Sequence, residues 1–235
     1  MRDAWRHFAA EFIGIFGLVF VGGGAIMSAT QQQINPLVPA AIAHGLILAI
    51  MVTATMRISG HLNPAVTIGF LVTKRIDPMM AVIYIIAQLL GATVAAYALK
   101  AVFPEAIAVA TRLGGQSVAG DLNTMQAIFC EAIATFFLVF VVFATAVDPA
   151  APKVGGFAIG LTIAADILAI GTRTGASMNP ARSFGPAIAS GVLEGQVVYW
   201  IGPIVGGAVA ALLYDGLFLR RGKDSPDHGA VHAAP

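Results

Sequence analysis

The sequence predicts an all-α membrane protein in which six transmembrane helices and two re-entrant half-helices form an inverted repeat. The first observation is composition: 58% of the 235 residues are hydrophobic and 11% are charged, with a mean hydropathy of +0.84. Soluble domains carry about 25% charged residues. The second is a repeated triplet, Asn63-Pro64-Ala65 and Asn179-Pro180-Ala181. The third is that the halves resemble each other, AEFIGIFGLVFV at 10–21 against CEAIATFFLVFV at 130–141.

Six apolar runs are long enough to cross a bilayer, which requires about 20 residues. The first exceeds the apolar core of a signal peptide, about 7–15 residues, so we expect it to be retained as a span. The six predicted spans are 8–29, 37–57, 79–102, 124–147, 155–172 and 195–219.

Each Asn-Pro-Ala triplet is followed by about ten mostly apolar residues, enough for half a membrane span. Asn caps free backbone N–H groups, and Pro at the first helical position sacrifices no hydrogen bond. We therefore predict half-helices at 64–74 and 180–190. Broken helices are tolerated at membrane depth only around a cavity. Two helix starts aimed at one place near the midplane thus predict a pore.

The repeat halves, about 6–102 and 124–220, contain three spans each, so the second copy must be inverted relative to the first. The inversion brings the half-helices in from opposite membrane faces. Gly156 with Gly160 should allow close helix packing, as should Gly202 with Gly206.

We expect residues 1–222 to form one membrane domain and 223–235 a short disordered cytoplasmic tail. Lys and Arg are concentrated on one side of this topology, nine against four, which predicts cytoplasmic termini by the positive-inside rule. We expect the cell membrane as the location. The nine are Arg2, Arg6, Arg57, Lys74, Arg75, Lys153, Arg220, Arg221 and Lys223, and the four are Lys100, Arg112, Arg173 and Arg182.

Two segments, ISGHLNPAVTIG at 58–69 and SMNPARSFGPAI at 177–188, resemble the signature loops of the aquaporins, the major intrinsic proteins. The resemblance covers about residues 6–220. It implies a right-handed helical bundle, a homotetramer with one pore per subunit, and passive passage of water across a lipid bilayer.

By this resemblance, Asn63 and Asn179 would each donate a side-chain N–H to a passing water. The helix starts add roughly half a positive charge each. A water held this way donates outward on both sides, so protons and ions should be excluded. Backbone carbonyls in the two loops would accept hydrogen bonds from the water file: Gly60, His61, Leu62, Gly175, Ala176 and Ser177.

The resemblance also places an outer constriction at His44, Ile167, Ala176 and Arg182. Arg182 would repel cations and donate to waters or hydroxyls. The family usually has one more residue between ISG and His than this chain, so a different gap would bring Ala43 to the constriction. With His44, the ring is similar to that of plant vacuolar members. It predicts passage of water and of small neutral solutes such as ammonia, urea or hydrogen peroxide.

Three of the carboxylates within the spans are candidates for a specific role. The resemblance implies that Glu11 and Glu131 hold the triplet loops by accepting backbone N–H bonds, with proton relay as the alternative. Asp166 occupies a position that is usually apolar in the family. It would pair with Arg173 or face the axis of a tetramer.

Other functions fit less well. Glycerol facilitators of the family usually carry Asp and Lys where this chain has Ser183 and Ala187. A secondary transporter would need coupling-ion ligands beside the triplets, but the loops there supply two asparagines and no carboxylate. An enzyme would need a nucleophile with a base nearby, and the sequence contains no such constellation. We therefore expect no enzyme. We also expect no cofactor, no metal and no nucleic-acid partner; a closed, non-conducting channel stays open as an alternative.

Overall fold

The computed structural model describes residues 3–152 and 154–219. The predicted tail at 223–235 lies outside the described residues. So do five of the nine cations used for the orientation, namely Arg2, Lys153, Arg220, Arg221 and Lys223.

Six helices are long and apolar enough to cross a membrane, as the sequence predicted, and the described residues form no strand. Their boundaries lie within a few residues of the prediction. The first helix begins four residues earlier than predicted. The six are α1 Ala4–Gln31, α2 Leu37–Thr55, α4 Pro78–Val102, α6 Thr124–Val142, α7 Gly155–Thr174 and α9 Gln196–Leu217. A π-helical turn, Phe143–Val147, extends α6.

Both half-helices form where the triplets predict them, as α3 Pro64–Val72 and α8 Pro180–Ser190. Asn63 caps α3 by accepting the Ala65 N–H at 2.9 Å. Asn179 caps α8 by accepting the Ala181 and Arg182 N–H groups at 3.0 and 3.2 Å. Cap and proline therefore act together at each start, in agreement with the local sequence argument.

The spans alternate in direction, which defines two ends of the bundle. At the terminal end α1 begins and α9 ends; the opposite end carries the connections from α4 to α6 and from α8 to α9. Half-helix α3 runs from the middle toward the terminal end, and α8 runs from the middle toward the opposite end. Each packs mainly on the last span of the other half, α3 on α9 and α8 on α4. This exchange interlocks the two halves around the triplets.

Glycines permit the close helix approaches that the sequence predicted. A Cβ at Gly160 would overlap the Gly45 carbonyl of α2, and one at Gly206 would overlap the Ala132 carbonyl of α6. The corresponding pairs α2–α7 and α6–α9 are among the most extensive helix contacts of the bundle. Small residues thus let backbones meet where apolar side chains would hold them apart.

One short helix was not predicted. Residues Glu105–Ala110 form α5 at the opposite end, followed by a turn at Arg112–Gly114. Gly114 has a φ of 74°, and a Cβ there would overlap Gly23 of α1. The connection is thereby fixed against the bundle, with Leu113 buried beneath it.

Candidate functional site

The two asparagines of the triplets bind the backbone of each other's loop. Asn63 Nδ2 donates to the Met178 carbonyl at 2.8 Å, and Asn179 Nδ2 donates to the Leu62 carbonyl at 2.8 Å. Each Oδ1 is occupied by the cap of its own half-helix. An amide NH₂ has two hydrogens, so each asparagine keeps one N–H for another acceptor.

A narrow cavity adjoins these amides. Its volume is about 10 Å³, which is about the least that a cavity needs to hold a single water. Its polar boundary is formed by Gly60, His61, Asn63 and Asn179, and the remaining lining is apolar. Such a space fits molecules passing in single file, with hydrogen-bonding groups confined to the loops. The apolar lining comprises Leu48, Val52, Val66, Leu138, Val142, Ile159 and Ile163.

Glu11 is fully buried and braces the first loop. Its Oε1 accepts the N–H groups of Gly60 and His61 at 3.0 and 2.8 Å. Its Oε2 accepts the Leu62 N–H at 2.6 Å and the Gln88 side-chain amide at 2.6 Å. Because the N–H groups of this non-helical segment are directed at the carboxylate, the loop is held in place from the side of α1.

Glu131 is likewise fully buried and braces the second loop. Its Oε1 accepts the Ser177 N–H at 2.9 Å and the Thr174 hydroxyl at 2.6 Å, and its Oε2 accepts the Met178 N–H at 2.7 Å. The two carboxylates therefore occupy equivalent positions in the repeat but have different side-chain partners, an amide for Glu11 and a hydroxyl for Glu131.

Both loops contain non-glycine residues in the left-handed region. Leu62 and Met178, each directly before its asparagine, have φ of 52° and 54°. Ala176 has a φ of 45°. Such conformations cost roughly 1–3 kcal/mol each and persist only where the surroundings fix them. Here the carboxylate braces and the crossed asparagine bonds fix them.

The predicted loop carbonyls do not all have the same surroundings. Gly60 and His61 line the narrow cavity, and Gly175 lines a wider one that Ile167 and Arg182 also border. The Leu62 carbonyl already accepts the Asn179 amide, so only its second lone pair is available to a permeant. Its counterpart Met178 was not singled out from the sequence, because the crossed bond joins residues 115 apart.

The four residues predicted for the constriction are all buried. Arg182 Nε and Nη2 donate to His44 Nε2 at 3.2 and 3.0 Å. His44 Nδ1 donates to the Ala40 carbonyl at 2.8 Å, which leaves Nε2 as the acceptor and the ring neutral. His44 rather than Ala43 therefore contacts the arginine. Arg182 Nη1 is buried and has no hydrogen-bond partner among the described residues.

A wider cavity of about 300 Å³ lies next to the constriction and is bordered by Ile167, Gly175 and Arg182. Gln116, from the connection between the halves, lines the same cavity. It is 9% exposed, and neither amide atom has a partner among the described residues. Gln116 was not predicted as a site residue, because nothing in the local sequence indicates that this connection folds back toward Arg182.

Asp166 does not pair with Arg173, which corrects one of the two predictions made for it. Arg173 Nη2 instead donates to Asp121 Oδ2 at 2.7 Å, and this bond lowers the pKa of the Asp121 carboxyl. Arg173 is next to the end of α7, whereas Asp166 lies seven residues deeper, about 10 Å along the helix axis. Asp166 Oδ2 is buried without a partner among the described residues.

Comparison with known proteins identifies related chains. The family model described as "Major intrinsic protein" matches residues 1–214. Aquaporin TIP4-4 of Zea mays is 40% identical over 232 residues, which cover 94% of this chain and 90% of the relative. Aquaporin TIP2-1 of Arabidopsis thaliana is 42% identical over 231 residues, with the same two coverages.

A solved structure has the same architecture. The X-ray structure of the aquaglyceroporin from Plasmodium falciparum superposes with a TM-score of 0.75 at 25% sequence identity. The match covers 91% of this chain and 96% of that one.

Proposed function

The chain belongs to the major intrinsic protein family, and we propose that it is a passive water channel that excludes protons and ions. The family is one of channels rather than enzymes. The observation that carries the proposal is the crossed pair of bonds from Asn63 and Asn179, which leaves one free N–H on each beside a cavity of single-water size.

Water oriented at this point explains the exclusion of protons. The two remaining amide hydrogens would both donate to the oxygen of one water, whose own hydrogens must then point away along the file. The starts of α3 and α8 add positive potential at the same place. A proton arriving from either side would meet unfavourable hydrogen-bond direction and an unfavourable field.

The constriction supports passage of small neutral solutes as well. His44 Nε2 is occupied by Arg182, so the guanidinium is drawn toward one wall. Ile167 and Ala176 supply no polar side-chain group. We propose that ammonia, urea and hydrogen peroxide can pass with water, while the fixed charge of Arg182 repels cations.

Glycerol facilitation is the less favoured function. Ser183 is buried and its hydroxyl donates to the Pro180 carbonyl within α8 at 3.0 Å, so it is not arranged as a glycerol ligand. The relatives named aquaporins are 40–42% identical, whereas the solved aquaglyceroporin is 25% identical.

Assembly and location are also proposals. We propose a homotetramer, supported by an exposed apolar stripe along α2 that requires cover by lipid or another subunit. The stripe comprises Val38, Ile42, Leu46 and Ile50.

We propose that the termini are cytoplasmic. This is supported by the cations at the terminal end of the bundle, which are Arg6, Arg57, Lys74 and Arg75. The abbreviation TIP in the names of the relatives stands for tonoplast intrinsic protein. Imaging of the tagged protein should therefore compare the cell membrane with internal membranes.

Stopped-flow light scattering on proteoliposomes tests the function. We expect fast shrinkage under an impermeant osmolyte, with low temperature dependence, and re-swelling under urea but not under glycerol. Water flux equal to that of empty liposomes, together with passage of another solute, would show that the protein is not a water channel.

A further inference from the structure

A groove lies outside the pore, at the end of the bundle opposite the chain termini. It is formed by the end of α4, by α5 and by the end of α8. Its volume is about 400 Å³. Phe103, Ala108, Leu113 and Ala189 form an apolar floor, part of a satellite core that is separate from the core around the triplets. The groove therefore offers apolar surface without access to the water file.

Two opposite charges flank this groove. Lys100, near the end of α4, and Glu105, in the first turn of α5, are both exposed and both line it. Among the described residues, the Lys100 ammonium donates only to the Ala189 carbonyl, at 3.4 Å. Neither residue takes part in any of the three ion pairs among the described residues. The groove is thus lined by a cation and an anion that form no ion pair with each other.

An apolar stripe leads from the groove along α4. Ile86, Leu90, Val94 and Tyr97 follow one another at three- or four-residue spacing, and each is 46–50% exposed. This spacing places them on one helix face, and Lys100 continues the same face. A tyrosine followed by a lysine at the end of such a stripe is typical of the boundary between acyl chains and headgroups.

We propose that the groove binds a phospholipid with a phosphoethanolamine headgroup. The phosphate lies against the Lys100 ammonium, the headgroup ammonium donates to the Glu105 carboxylate, and an acyl chain follows the α4 stripe. A zwitterionic headgroup satisfies both charges. An anionic headgroup would place negative charge near Glu105, and a choline headgroup has no N–H to donate.

The site also contacts the channel scaffold. Ala189 and Ser190 are the last residues of α8, the half-helix that carries Arg182, and both line the groove. A bound lipid would therefore hold the end of α8, so its occupancy should raise the unfolding temperature of the protein.

Native mass spectrometry of the detergent-solubilised protein tests the site, using palmitoyl-oleoyl phosphatidylethanolamine and the phosphatidylcholine and phosphatidylglycerol of the same chains. We expect the wild type to retain the ethanolamine lipid preferentially. Lys100→Ala should weaken its binding roughly fivefold, the effect of one surface lysine on a lipid phosphate. Lys74→Ala, which removes an exposed cation at the terminal end, is the matched control.

Glu105→Gln gives an independent test because it changes an exposed residue and leaves the phosphate contact intact. It should abolish the preference for ethanolamine over glycerol headgroups while total lipid binding persists. Equal binding of the three lipids by the wild type, or unchanged ethanolamine binding in Lys100→Ala, would overturn the proposal. So would dissociation of the oligomer by Lys100→Ala without change in lipid binding, which would identify the groove as a subunit contact.

Discussion

Arg182 and His44, 138 residues apart, are joined by two hydrogen bonds that end on a single imidazole nitrogen. The histidine thereby helps to fix the position of the Arg182 guanidinium. The imidazole nitrogen is itself occupied by the arginine, so it is not available as an acceptor for a permeant.

Replacing His44 by alanine should therefore change selectivity more than water flux. The change removes the acceptor for two guanidinium N–H groups and opens space beside them. We expect urea permeability to rise several-fold, with water permeability changed by less than about twofold, in stopped-flow assays. Loss of hydrogen bonds to a charged group costs about 1.5–3 kcal/mol each, so unfolding should also occur at lower temperature. A urea permeability equal to that of the wild type would show that His44 does not set the constriction.

Substitution of Gly22 tests the contact between His44 and Arg182 without removing either side chain. A Cβ at Gly22 would overlap the His44 ring, so Gly22→Ala must displace the imidazole and disturb its bonds to Arg182. We expect the ratio of urea to water permeability to shift in the same direction as in His44→Ala. Gly24→Ala is the matched control, because a Cβ there meets nothing closer than Leu99 Cδ2 at 3.5 Å. Identical ratios in the two glycine variants would contradict the prediction.

Gln116 is expected to act on permeants before they reach the arginine. Gln116 lines the wider cavity, and its buried amide has no partner among the described residues. We expect a small movement of this side chain to let a passing solute bond to the amide. Gln116→Leu should lower urea permeability several-fold and leave the unfolding temperature nearly unchanged. A buried amide that bonds to nothing would instead cost about 1–3 kcal/mol. In that case the leucine variant would be more stable than the wild type, with unaltered transport.

The parts that could be predicted from the sequence are the ones that depend on neighbouring residues. Apolar runs predict spans, and Asn followed by Pro predicts the starts of α3 and α8, because capping acts over two or three residues. The crossed bonds from Asn63 and Asn179 could not be predicted without the fold, and neither could the approach of Gln116 to Gly175. Each joins segments that meet only after the two halves interlock. The prediction that Asp166 pairs with Arg173 was wrong for a related reason. Helix periodicity cannot show that Asp121 competes for the same arginine.

We expect that even glutamine, which has the same shape as glutamate, cannot replace Glu11 without loss of stability. Its two oxygens accept three backbone N–H groups and the Gln88 amide. In Glu11→Gln one oxygen becomes an NH₂ that faces other donors. We expect destabilisation of about 3 kcal/mol or more, since buried donors lose their acceptor, and loss of most water flux. Thermal unfolding and proteoliposome shrinkage measure these effects. Glu194→Gln, which changes an exposed carboxylate in the connection between α8 and α9, should match the wild type in both.

Asp166 allows a test of what an unpaired carboxyl does inside a span. Its Oδ2 is buried and has no partner among the described residues, and Arg173, the one cation proposed for it, is bound to Asp121. An intramembrane carboxyl without a partner is unfavourable, so Asp166→Leu should raise the unfolding temperature and leave water and urea permeabilities unchanged. The comparison is best made alongside size-exclusion chromatography of the same sample. If the leucine variant unfolds earlier and the oligomer dissociates, then Asp166 accepts a hydrogen bond from a neighbouring subunit, as its predicted position on a tetramer axis would require.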